Sequence, residues 1–131
     1  MRNPARPPAF WGLATLLIVE LAAVAVVAIV LLFDLVAARP ASLATALALT
    51  VLVLIAVAWM AATVVGMLRG QAWTRASAIV WQVLQFAIGV GALQGSLAQP
   101  AWGWPIVAVS VVTFALLFAP SVVRATGARN R

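Results

Sequence analysis

The sequence contains no cysteine and no histidine, and its only acidic residues are Glu20 and Asp34. Each absence removes a chemistry. Without thiols there is no disulfide, no thiolate metal site and no cysteine nucleophile. Without histidine, and with so few carboxylates, these residues cannot assemble a zinc site or a Ser-His-Asp triad. The expectation is therefore a non-enzymatic protein with no cofactor and no metal.

What fills the chain instead is apolar. Of 131 residues, 66% are hydrophobic and only 8% charged, and the mean hydropathy is +1.18. A soluble domain is roughly half apolar and about a quarter charged. A water-facing surface cannot absorb such an excess, so the expected solvent is the lipid bilayer and the expected organisation is one membrane domain over residues 1–131. The net charge of +6 would also suit a nucleic-acid surface. However, the arginines do not gather on one soluble face. They sit at the ends of apolar segments, where arginine meets headgroups and sets topology. No nucleic-acid partner is expected.

Four apolar segments stand out, over about 10–35, 43–68, 76–97 and 105–123. Each has enough residues for a helix across a hydrocarbon core of about 30 Å. Helix is forced as well as preferred, because a lone lipid-exposed strand leaves its backbone unsatisfied. The fold class expected is all-α, a four-helix transmembrane bundle. The breaks agree: Ser42 is placed to cap the second helix, Gly70 to end it, Pro105 to open the fourth and Pro120 to kink or stop it. The first segment starts like a signal peptide, but its apolar run is too long and nothing polar surrounds a cleavage site, so an uncleaved anchor is expected.

With four spans, Arg2, Arg6, Arg69, Arg75, Arg124, Arg129 and Arg131 fall on one side and Arg39 alone on the other. The positive-inside rule then places both termini in the cytoplasm of a bacterial inner membrane. Trp102 and Trp104 belong to the outer interface, and Phe10, Trp11 and Trp73 to the inner one. The remaining loops and tails are too short for a soluble catalytic domain.

Glu20 interrupts an otherwise oily run from Leu16 to Val27. A central acid costs about 3 kcal/mol on insertion scales, whereas the fourteen Leu, Ile, Val and Phe residues between Leu13 and Phe33 return on the order of 6 kcal/mol together. The helix inserts, but its carboxyl must face the interior. Helical spacing predicts one inward seam of Leu13, Leu17, Glu20, Val24, Val27, Leu31 and Asp34. Glu20 and Gln85 each lie about 14 Å from the inner interface at the helical rise, so a Glu20–Gln85 contact is expected, with Gln82 one turn away. These three form the expected intramembrane polar cluster. The two glutamines belong to a third-helix stripe of Ala78, Gln82, Gln85, Gly89, Ala92 and Ser96.

Two ladders of small residues suit close helix packing: Ala58, Ala62 and Gly66 on the second helix, continued by Gly70, and Ala87, Gly91 and Gly95 on the third. One face can pack within the bundle and leave the other for a second copy or a larger membrane complex. An intramembrane acid is equally a candidate proton or cation site. Asp34, by contrast, reads as an interfacial residue near Arg39, and the "AWGWP" turn as an interfacial anchor.

The arginine-flanked "RGQAWTRASAIVWQVLQ" from Arg69 to Gln85, the "LQG" from Leu93 to Gly95, the early-helix glutamate and the arginine-bearing tail carry a resemblance. The chain resembles uncharacterised small four-helix integral membrane proteins of high-GC Gram-positive (actinobacterial) bacteria, a likeness that implies no particular activity. The all-arginine cationic set and the alanine-valine bias suit a GC-rich genome. Four helices with a glutamate in the first also resemble the small multidrug resistance transporters, which would make Glu20 a proton- and cation-binding residue. That family's aromatic and glycine signature has no counterpart in "VAWMAATVVGML" or "VWQVLQFAIGVG". The expected role is an accessory or structural subunit, and the alternative is a proton-coupled small-molecule transporter using Glu20. A small pore is a third reading, opposed by the few polar residues sharing a seam.

Overall fold

The computed structural model describes residues 6–37, 40–96 and 98–126. Among them there are five helices and no strand: α1 (Pro8–Ala37), α2 (Leu43–Leu68), α3 (Trp73–Ala92), α4 (Pro100–Leu117) and α5 (Pro120–Thr126). Three of these, α1, α2 and α4, are long and apolar enough to cross a membrane. The expectation from composition was four. The difference is α3, whose 20 residues include Arg75, Gln82, Gln85 and two tryptophans, which dilute its apolar character without shortening it.

The local chemistry explains the boundaries. Ser42 caps α2 as its position suggested, its hydroxyl accepting from the Thr45 amide at 3.2 Å. Gly70 follows α2 with φ 76°, a left-handed conformation that glycine adopts at little cost. Helix α3 begins at Trp73 rather than Ala76 and stops at Ala92, short of the predicted 97. Its end turns through Leu93 into Gly95, whose φ of 81° is incompatible with continued right-handed helix. Helix α4 starts five residues earlier than expected because Pro100, not Pro105, occupies the first turn. Pro105 lies inside the helix. Pro120 then separates α4 from the short α5, with Phe118 as the α4 cap. Arg2, Arg39, Arg129 and Arg131 lie outside the described residues.

Helices α1 and α2 pack along each other, as do α3 and α4, giving two hairpins. Narrower seams join α2 to α3 and α1 to α4, while neither diagonal pair makes comparable backbone contact. The four helices thus close into a ring, and α5 folds under it against α1 and α4. The core lies toward the end that carries Arg6, Arg69, Arg75 and Arg124. It comprises Phe10, Leu13, Leu17, Met60, Val64, Met67, Ala78, Leu117 and Val122.

The inward seam of α1 is not the predicted one throughout. Leu13, Leu17 and Glu20 are buried, but the seam continues to Ala28; Val27 is half exposed and Asp34 is exposed. A straight helix drifts relative to any strict spacing: the small Ala28 faces the neighbour, with Val24 and Leu31 half-buried on the same side, while Val27 turns outward.

Candidate functional site

Glu20 sits about one turn beyond Leu17 on α1, at the centre of the ring and only 5% exposed. Three side chains from the opposite hairpin converge on its carboxyl group. Gln82 Nε2 donates to Oε1 at 2.8 Å, Trp81 Nε1 donates to the same oxygen at 3.1 Å, and Thr113 Oγ1 donates to Oε2 at 3.1 Å. Two partners lie on α3, diagonally across the ring, and one on α4. A buried polar group left unpaired costs far more than a bonded one returns, so this convergence removes the penalty that α1 alone would carry. Glu20 therefore ties hairpin to hairpin where their backbones meet least.

The expected Glu20–Gln85 contact is not the one formed. Three residues apart on α3, Gln82 and Gln85 point about 60° from each other, and it is Gln82 whose direction meets Glu20. Gln85 is reached indirectly: Trp81 Nε1 shares its hydrogen between Glu20 Oε1 and Gln85 Oε1, the latter also at 3.1 Å. Gln85 Nε2 turns instead to the Ile106 carbonyl on α4, at a long 3.5 Å. A depth count along the axis locates the layer and leaves the azimuth undetermined.

A second polar group lies one layer toward the arginine end. Trp59 Nε1 donates to Ser77 Oγ at 2.6 Å, and Thr63 Oγ1 lies 2.7 Å from the same hydroxyl. The Trp59 and Trp81 rings meet edge to face, with centroids 5.4 Å apart, and so join the two layers. Beyond them, arginines close the helix ends. Arg75 Nη2 donates to the Leu117 carbonyl at 2.7 Å and its guanidinium lies over the Phe118 ring. Arg6 Nη2 donates to the Leu68 carbonyl at 2.8 Å and covers Phe10. Both satisfy carbonyls that the last turn of a helix leaves free.

No family model, curated protein or solved structure matches this chain. The functional reading therefore rests on its own geometry.

Of the small-residue ladders, Ala58 and Ala62 face outward, whereas Gly66 is buried beneath Gln71, Trp73 and Thr74 of the α2–α3 turn. Ala87, Gly91 and Gly95 are all exposed, and a methyl group added at Gly91 would meet nothing. The glycines that bring α3 and α4 together are others. At Gly89 an added carbon would lie 2.7 Å from Val107, and at Gly103 it would lie 2.7 Å from Leu93 and 3.0 Å from the Gly89 carbonyl. Sequence reading also passed over Trp81 and Thr113. Their signal was present: Trp81 stands beside Gln82, and Thr113 repeats at three residues from Ser110 on an otherwise oily helix.

Chemically, the site can hold a carboxyl group and bind or release a proton, and little more. Among the described residues no three His, Cys, Asp or Glu side chains come together as metal ligands.

Proposed function

We propose that this chain is a non-enzymatic accessory or structural subunit of a bacterial inner membrane, crossing it four times with both termini in the cytoplasm. It associates with further copies or with a larger membrane complex. The observation that carries this reading is the sealing of Glu20. A transporter needs its ionisable group reachable from one side at a time, whereas this carboxyl group is saturated by Gln82, Trp81 and Thr113 and nearly devoid of exposed surface. A bonded acid in such a place orients helices. The arginine collars at Arg6 and Arg75 support the shared side of the two termini, and α3 completes the ring as the fourth span by burying its amides inward. The outward faces of α2 at Ala58 and Ala62, and of α3 at Ala87 and Gly91, offer close-packing surfaces.

Because the chain contains no cysteine, single cysteines at Ala58, Ala62, Ala87 or Gly91 give clean crosslinking sites. In native membranes the subunit reading expects crosslinked products from at least one ladder, with matching masses after gentle detergent extraction. A partnerless protein that binds lipophilic cations and loses that binding in Glu20→Gln would replace it with the transporter reading.

A further inference from the structure

A cavity of about 380 Å³ opens sideways between α3 and α4, lined by Gln82, Val83, Phe86, Ser110, Val111, Phe114 and Ala115. Its size falls within the range of about 300–1,000 Å³ typical of small-molecule sites. Five of these residues are apolar and none is charged. Val83, Phe86, Val111 and Phe114 are partly exposed on the outer surface, so the approach is lateral, from the side that faces lipid in the membrane setting proposed above.

The two polar residues form the buried part of the lining: Gln82 and Ser110 are each 1% exposed. Gln82 commits its Nε2 to Glu20, and its Oε1 is buried without any hydrogen-bond partner. The neighbouring donors cannot serve it. Ser110 Oγ donates to the Val107 carbonyl at 2.9 Å, Thr113 Oγ1 to Glu20, and Trp81 Nε1 is already shared between two acceptors. A buried amide oxygen left unpaired keeps its full desolvation penalty with nothing to offset it. Turning the amide over does not help, since it would set the oxygen against the Glu20 carboxyl and strip that group of its shortest bond.

We infer that this groove binds a neutral lipophilic molecule bearing a hydrogen-bond-donating head, a hydroxyl or N–H group, which is delivered laterally and bonds to Gln82 Oε1. The apolar walls take the body, with Phe86 and Phe114 supplying flat faces. The missing donor defines the head. The uncharged lining excludes an ionic one. The inference uses the membrane setting but not the subunit role, so either can fail without the other.

Photolabelling of the protein reconstituted in phosphatidylcholine vesicles tests it, after flotation has established insertion and so separated the membrane reading from the groove. The probes are a decanol carrying a diazirine and its methyl ether, which differ only in the donor. The alcohol should label the Gln82–Phe86 and Ser110–Ala115 peptides about tenfold more than the ether, which corresponds to about 1.4 kcal/mol. Gln82→Leu should bring alcohol labelling down to the ether level. Since that variant also disturbs Glu20, Val111→Trp provides a second arm: it fills the groove away from the carboxyl and should remove labelling by both probes. Equal labelling by alcohol and ether would mean that water serves Oε1, and persistence of the label in Val111→Trp would place it elsewhere. Either result overturns the inference.

Discussion

The two ends of the bundle are built from nearly the same amino acids and pack very differently. Toward the arginine end, Phe10, Leu13, Leu17, Met60, Val64, Met67, Leu117 and Val122 are at most 7% exposed. Toward the opposite end, the buried residues are Ala28, Thr50, Gly89 and Gly103, while Ile29, Phe33, Val36, Leu52 and Ile55 are all more than half exposed. Of the three helices apolar enough to cross a membrane, the most apolar, α1, is the least buried. Hydrophobicity therefore does not decide what is inside. When lipid is as oily as leucine, burial follows shape and polar pairing, and large side chains fill space only where the helices stand far enough apart.

The strongest way to break this contrast is to cut matched holes in both ends. Leu17→Ala should cost about 2–5 kcal/mol in a denaturant titration of the reconstituted protein, as a deep cavity does, whereas Val30→Ala should stay within about 0.5 kcal/mol. Equal losses would mean that the outer end is packed by a partner or lipid as tightly as the inner end.

The outer end of the α3–α4 hairpin is held by glycine rather than bulk, and this predicts the opposite sensitivity. Gly89→Val and Gly103→Val should each cost about 1–3 kcal/mol by overpacking, with Gly91→Val close to neutral. At Gly103 part of the obstruction is backbone, the Gly89 carbonyl at 3.0 Å, which cannot rotate away. The same thermal or denaturant scan of all three variants checks the order.

Between the two ends sits the polar layer. Glu20→Leu removes three acceptor contacts at once. At about 0.6 kcal/mol for a typical interhelical bond in a membrane, the loss should be roughly 2 kcal/mol, with the protein still inserted and folded. Glu20→Gln keeps an oxygen for Gln82 and Trp81 and should lose less than half as much. Wholesale misfolding of Glu20→Leu would give the carboxyl group a larger part in assembly than bonding energy allows. A similarly modest loss is expected of Ser77→Ala, which frees Trp59 Nε1 and one contact of Thr63. It should cost about 1 kcal/mol and shift tryptophan emission as Trp59 loses its partner.

Much of this was legible from residues alone. The 3.6-residue spacing of Leu13, Leu17 and Glu20 marks their common face, and Ser42, Gly70 and Pro120 mark breaks whose chemistry is local. The interior position of Glu20 followed from the cost of facing lipid. Its partner did not. Gln82 and Gln85 are three residues apart on nearly the same face, and choosing between them needs the rotation of α3 about its axis to a precision of a few tens of degrees. That rotation is set by contacts remote from both, at Gly89 against Val107 and at Ser77 against Trp59 and Thr63. For the same reason the literal G-x-x-x-G at Gly91 and Gly95 looked like the packing motif, when Gly89 and Gly103 perform that task within the fold.

From composition and spacing follow an all-helical chain, its turns, the oily exterior of its helices and the inward-facing acid, since each depends on a residue and its immediate neighbours in the helix or on solvent. Tertiary structure decided which donors meet Glu20, which glycines bring α3 against α4, and that one amide oxygen of Gln82 stays unclaimed. Those outcomes depend on the azimuth and separation of helices distant in the chain. No local periodicity encodes them.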